Sequence, residues 1–243
     1  MNTIGQDFLE LTKYPHLTES HKEQGVPCPP LEVPEPNAQL ISLPAPESLN
    51  FSAVSVQAAI NNRRSRRKFS SAPLGLAELT WLLWATQGVQ EQLPHATLRT
   101  VPSAGARHPF ETYLAVANVT GLKPGLYRYL ALSHQLALLR ANENIGRELA
   151  AACLNQKWIA NAAASFIWVA VPYRTTWRYS ERGWRYIFLD AGHICQNLYI
   201  ACEAIGAGCC AVDAFDDDAL NALLAVDGKE QIALYAAPVG YKI

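Results

Sequence analysis

A globular chain that mixes helices with β-strands is what this sequence predicts, and three observations carry the expectation. Half of the 243 residues are hydrophobic and 17% are charged, which excludes disorder for most of the length and allows a substantial core in one large or two small domains. Several stretches repeat apolar residues at helical spacing: Leu76, Leu79, Leu82 and Leu83 form one, and Ala191, Ile194, Cys195, Leu198, Ala201, Cys202 and Ile205 another. Between such stretches stand short β-like runs, two of which, Gly125 to Tyr129 and Gln135 to Leu139, are spaced to turn at Leu132 to His134 as a hairpin.

The elements follow in order. Residues 1–50 read as a preamble: a short helix around Gln6 to Thr12, then a run holding Pro27, Pro29, Pro30, Pro34, Pro36, Pro44 and Pro46. Proline fixes its own φ and keeps its predecessor extended, so this part reads as a strap over the dimer contact or over the mouth of a site, with the folded domain at 51–243. From Ser52, Val54, Ala58, Ala59 and Ile60 make a helix that delivers Arg63-Arg64-Ser65-Arg66-Arg67-Lys68 at its end. The Leu76 helix is closed by Gly88. A loop of small residues, Val101 to Pro109, leads into a strand from Glu111 to Val119, and after the hairpin a helix spans Asn144 to Leu154. Gln156-Lys157-Trp158 leads to a buried strand, Ser165 to Val171. Rings and cations then interleave from Tyr173 to Tyr186, and Asp190 is expected to cap the most apolar helix. Asp216-Asp217-Asp218 suit the positive start of a last helix that Gly228 stops, and a strand from Gln231 to Ala236 precedes Lys242.

Several function classes fall away. A net charge of -1 and a pI near 6.6 argue against a nucleic-acid surface. No apolar run approaches the roughly 20 residues a membrane helix needs, and the N-terminus lacks signal-peptide order, so a cytoplasmic address is expected. The six cysteines show no CxxC pair and read as core hydrophobes in a reducing compartment. The histidines form no zinc box, and no GxSxG, P-loop or GxGxxG is present, which argues against metal catalysis, a serine hydrolase, an NTPase and a Rossmann dehydrogenase.

Three stretches invite chemistry. The guanidinium forks and hydroxyl of Arg63 to Lys68 suit a phosphate ester, although a charge run is equally a solvated face. The small residues of Pro102 to Ala106 allow close approach to a flat ligand, or make an ordinary turn. Tyr173, Arg174, Trp177, Arg178, Tyr179, Arg182, Trp184, Arg185 and Tyr186 suit a substrate mouth or an interface rim.

Taken in order, the arginine cluster, Pro102-Ser103-Ala104-Gly105-Ala106-Arg107-His108-Pro109, Gly125-Leu126-Tyr127-Arg128-Tyr129, Glu181-Arg182-Gly183-Trp184-Arg185-Tyr186 and Asp190-Ala191-Gly192-His193 resemble the nitroreductase superfamily, specifically its SagB-type, thiazole/oxazole-oxidase-like branch. The resemblance spans residues 55–243. It implies an α+β three-layer sandwich, a central mainly antiparallel sheet flanked by helices, with FMN at a homodimer interface. In such a site Arg63, Ser65 and Arg67, with Arg64 beside them, would grip the FMN phosphate and the pyrimidine edge. Pro102, Ser103, Ala104 and Ala106 would pack on the flavin from the partner subunit, Gln156 would supply an amide contact, and Ala211, Asp213 and Ala214 backbone donors near N5. Lys242 would be a C-terminal phosphate ligand, without the longer tail that wraps the partner in relatives. Tyr173, Arg178, Tyr179, Arg182 and Tyr186 are the candidates for substrate contact or proton transfer. The implied reaction is two-electron transfer at flavin N5, as azoline-to-azole oxidation in a modified peptide. An NAD(P)H-dependent nitro or quinone reductase acting on a small molecule, and a flavin-free structural partner in a peptide-modifying complex, are the alternatives.

Overall fold

The computed structural model describes residues 3–33 and 35–243. Met1 and Asn2, at the N-terminus that lacks signal-peptide order, and Pro34 of the strap lie outside the described residues. In chain order the elements are α1 (Ile4–Leu11), β1 (Gln39–Ser42), α2 (Val56–Asn62), α3 (Leu76–Gln87), β2 (Val89–Leu93), β3 (Ala96–Arg99), β4 (Phe110–Val116), β5 (Gly125–Leu130), β6 (Gln135–Ala141), α4 (Ile145–Ala152), β7 (Ala164–Ala170), α5 (Tyr173–Tyr179), α6 (Gly183–Ala204), β8 (Ala207–Cys209), α7 (Asp217–Leu224) and β9 (Ile232–Tyr241).

Side-chain alternation along the central strands builds the layers. In β4 and β7, Leu114, Val116, Phe166 and Trp168 face one way, and Tyr113, Ala115, Ile167 and Val169 the other. The first set packs under α3 and α6 with Leu79, Leu82, Ile194 and Leu198, the second under α4 and α7 with Ile145, Leu149, Leu220 and Leu224. Strands covered on both faces are buried along their whole length, as every residue of β4, β5 and β7 is, and the polar exceptions Glu111, Thr112, Arg128 and Ser165 are buried with the rest. The sheet runs β1-β6-β5-β4-β7-β9-β8 with each pairing antiparallel. Helices on both faces of a mainly antiparallel sheet make an α+β three-layer sandwich.

Four departures from the sequence expectation matter for the site. Helix α6 begins at Gly183 and not at Asp190, because Trp184, Ile187 and Ala191 continue the apolar stripe and nothing in Gly183 to Leu189 stops a helix. Asp190 is therefore inside the helix and 3% exposed, free to bond elsewhere. Tyr173 to Tyr179 is helical, and the chain turns sharply at Ser180 (φ 49°, ψ -145°) before α6. Helix α7 ends on Ala225 in the left-handed region, three residues before Gly228, and Asp216 caps its start by accepting from Ala219 N at 2.8 Å. Strands β1 and β2–β3 were not foreseen: β1 lies in the Pro-rich strap with mostly exposed residues, and the β2–β3 hairpin is polar and turns on Pro94-His95.

The strap is fastened by side chains of the folded domain. Trp177 Nε1 donates to Val26 O at 2.9 Å, Arg174 Nε to Pro30 O at 3.0 Å, and Arg182 Nη1 to Thr12 O at 3.1 Å. Arg185 Nε donates to Thr12 Oγ1 at 2.7 Å, and Lys22 N to Trp177 O at 2.9 Å. Arg128 and Arg174 themselves share the carboxylate of Glu111, which is 4% exposed, at 3.0 and 2.5 Å, and Arg128 adds Glu35 of the strap at 2.6 Å. A buried carboxylate between two guanidinium groups neutralises charge that neither arginine could keep there alone.

Candidate functional site

Ser55 starts α2 by accepting from Ala58 N at 3.1 Å, and Arg63 ends it in an extended conformation, so the arginine cluster leaves the helix as a ribbon. That ribbon lies along the end of the sheet: Arg66 N donates to Cys209 O at 2.8 Å and Phe69 bridges to Lys242. Ser65 Oγ is thereby brought to 3.0 Å from the Tyr199 hydroxyl of α6, which also accepts from Ala211 N at 2.8 Å. The Arg63 guanidinium lies 5.3 Å from the centre of the same ring. Cys210 stands against this group: burial pushes its thiol up, while Arg67, Ser65 and Tyr199 pull the other way. Across from it, Gln156 Nε2 donates to Ala214 O at 2.9 Å.

Arg63, Ser65, Arg67, Gln156 and the Ala211 to Ala214 segment are thus gathered at one place from positions up to about 150 residues apart. Ala211 N–H is already given to Tyr199, whereas the N–H groups of Asp213 and Ala214 bond to nothing among the described residues. Lys242 reaches the same edge but pairs with Glu203 at 2.8 Å. No carboxylate lies within 4.0 Å of Arg63, Arg64, Arg66, Arg67 or Lys68 among the described residues. Five cations that no carboxylate compensates, on the ribbon that carries the Ser65 hydroxyl, are donors that suit a phosphate dianion, and the two unspent backbone N–H groups suit one edge of a flavin ring, so the residues present fit FMN. Tyr199 was not foreseen; its ring sits on the polar margin of an apolar helix, where nothing local marks it.

A second cluster forms around Pro102 to Ala106. Ser103 Oγ donates to Asp190 Oδ2 at 2.6 Å and Ala104 N to Asp190 Oδ1 at 3.3 Å, while Ser103 Oγ accepts from His108 N at 2.9 Å. Burial raises the Asp190 carboxyl and these two donors oppose the rise. Gly105 has φ +60° and no room for a side chain: a Cβ there would collide with the Tyr179 hydroxyl and lie 3.1 Å from Arg178 Nε. The loop and two of the ring-and-cation residues are therefore one surface. Tyr179 meets Tyr186 edge-on at 4.9 Å, and the Tyr186 hydroxyl is held low by bonds from Tyr14 and Arg182. Tyr173 lies apart, with its hydroxyl 2.9 Å from His21 Nδ1, and Arg174 is spent on Glu111.

The two clusters share α6 but not one end of it. Tyr199 and Asp190 are nine residues apart, about 13.5 Å along the helix.

The nitroreductase family profile matches residues 60–241, well over half of the chain. The chain belongs to the nitroreductase family. It is 37% identical over 203 residues to a Methanocaldococcus jannaschii protein that bears the nitroreductase name, covering 84% of this chain and 96% of that one. A trifolitoxin-processing protein of Rhizobium leguminosarum is 31% identical over 112 residues, 44% of this chain and 30% of its own length. Among solved structures, a nitroreductase-type protein from Anabaena variabilis superposes with a TM-score of 0.68 at 24% identity, over 86% of this chain and 42% of its own. The Escherichia coli microcin synthetase McbBCD complex with truncated pro-MccB17 bound matches at a TM-score of 0.63 and 19% identity, over 99% of this chain and 92% of that one. Family membership accounts for the fold, and both solved structures share the sandwich described above. Among the described residues no helix is long and apolar enough to cross a membrane, and no group of three or more metal-ligating side chains converges.

Proposed function

We propose that this nitroreductase-family chain is an FMN-dependent oxidoreductase of the SagB-type branch, working as a homodimer on a modified peptide. The observation that carries the reading is the uncompensated cation cluster set beside Ser65 and the free N–H groups of Asp213 and Ala214. When bound, FMN would supply two-electron transfer at N5. The chain's own parts divide the remaining work. Arg63, Arg64, Ser65 and Arg67 hold the phosphate, Gln156 sets the 211–214 segment, and its free donors offset negative charge on the reduced ring. Pro102, Ser103, Ala104 and Ala106, fixed by Asp190, form a flat wall, and Arg178 and Tyr179 stand behind it to orient a substrate and hold a proton at the Tyr179 oxygen. Since the two clusters sit about 13.5 Å apart along α6, the loop of one subunit would complete the phosphate cluster of its twin. An apolar hollow of about 420 Å³ beside α6, lined by Val56, Trp81, Trp84 and Ile200, and the exposed Phe188 and Leu189 suit such a contact.

The peptide reading draws on the likeness to a microcin synthetase complex and to a trifolitoxin-processing protein. The 37% identical relative favours the second reading, an NAD(P)H-dependent reductase of nitro or quinone compounds. Visible absorbance of the purified protein, followed by one addition of NADPH, separates them. Absorbance near the flavin maxima that persists after NADPH and bleaches with an azoline peptide supports the first. Immediate bleaching, reversed by a nitroaromatic, supports the second, and a protein that takes up no FMN sinks both.

A further inference from the structure

Between residues 14–23 of the strap and the corner joining α5 to α6 lies an open cleft of about 610 Å³, within the range of small-ligand sites. Tyr14, Lys22, Arg178, Tyr179, Arg182 and Tyr186 are among its walls. We propose that this cleft takes a planar molecule bearing a carboxylate, and that the N-terminal segment, outside the family-matched residues 60–241, decides which molecules enter.

Charge accounting supports the acid. Glu23 is spent on Ser20 N and Oγ at 2.8 and 2.7 Å, and those bonds keep its carboxyl low and ionised. Arg182 is spent as well, bonded to Thr12 O and stacked 4.8 Å from the Tyr14 ring. Arg178 and Lys22 have no carboxylate within 4.0 Å among the described residues, and Glu19 is the other acid of the lining. Counted whole, Lys22, Arg178 and Arg182 stand against Glu19 and Glu23, so the cleft keeps a positive excess. Lys22 and Arg178, with no carboxylate that close among the described residues, are the cations that can offer it to an anion. The rings support the flat shape: Tyr179 and Tyr186 pack edge-on at 4.9 Å, and the Tyr14 and Tyr186 hydroxyls are 3.4 Å apart.

Position ties the cleft to the redox wall, because Arg178 and Tyr179 are the residues that close on Gly105. The wall made by 14–23 is held at both ends, by Arg182 and Arg185 on Thr12 and by Trp177 on Val26, and in the middle by Thr18 Oγ1, 3.2 Å from Ser180 Oγ at the turn of positive φ. That the ligand is the substrate rests on the flavin reading; that the cleft binds an acid does not.

Calorimetric titration of the full-length protein with 4-nitrobenzoate and with 4-nitrobenzyl alcohol tests the proposal, with visible absorbance recording flavin content of the same samples. The acid is expected to bind about tenfold more tightly than the alcohol. Arg178→Gln should abolish that ratio and Lys22→Gln should reduce it. Equal affinities in the wild type, or a ratio that survives both substitutions, would overturn the proposal. Lys22 is exposed, so its variant decides the matter even if Arg178→Gln melts. A retained ratio in a colourless protein would remove the flavin reading alone, and a flavin-loaded protein without the ratio would remove this one alone.

Discussion

At the scale of single residues, Tyr199 and His108 show how position converts ordinary side chains into parts of a site. Tyr199 joins the cation ribbon to the 211–214 segment through one oxygen, so Tyr199→Phe keeps the ring under Arg63 and deletes only the bridge. About 1 kcal/mol of positioning should be lost, read as roughly fivefold weaker FMN binding in fluorescence titration with an unchanged melting temperature. His108 lies under the same loop as Ser103, with Nε2 3.0 Å from Thr97 O, and burial, with Arg99 adding to it, lowers its pKa to about 3. A histidine depressed in the native state binds its proton only on unfolding, so stability falls as pH drops from about 6.5 toward about 3, by up to about 1.4 kcal/mol per pH unit. Glu32, raised by burial, acts in the opposite direction from the ordinary carboxylate range upward, and not at the acid end of that window. Urea unfolding at pH 7 and pH 4.5 should therefore show a smaller acid loss in His108→Gln than in the wild type. An equal loss in both proteins would mean that His108 is not the group responsible.

Elements differ in how much of themselves the sequence discloses. Helix α3 and the β5–β6 hairpin were legible because Leu76, Leu79, Leu82 and Leu83 recur at helical spacing and two β-like runs flank a short turn, and both elements are packed on the core. The start of α6 was not, since Asp190 imitates a cap while its carboxylate belongs to a loop 86 and 87 residues away. Pairings across such distances leave no local trace, and for the same reason the arginine cluster could be read as an anion seat while Tyr199 could not be read at all. The hairpin β2–β3 was hidden by its polarity. Helix α7 offers a direct test of an element boundary: Ala225 closes it at φ 57° and ψ 40°, a conformation that costs an alanine but not a glycine. Ala225→Gly should raise unfolding free energy by about 1 kcal/mol in denaturant titration. A drop would mean that α7 continues toward Gly228 in solution.

For the molecule as a whole, Glu111 is the point where strap, sheet and α5 are joined, through Arg128 and Arg174. Glu111→Ala would leave the buried Arg174 guanidinium without a counter-charge and Arg128 with Glu35 alone, and should cost about 3 kcal/mol, seen as a lower denaturation midpoint. Removing the whole triad for apolar residues of equal volume should cost far less, because the penalty belongs to the orphaned charges. The strap is fastened chiefly through its peptide oxygens, those of Leu9, Thr12, Val26, Pro30 and Val33, each of which accepts from a side chain of the main body. Every amino acid carries that oxygen. Docking at those five points is consequently blind to what the strap spells. Within 14–23 the side chains that fasten nothing, Leu17 and Lys22 among them, are open to being rewritten into linings for other guests, while Tyr14, Thr18 and His21 keep their bonds to the main body.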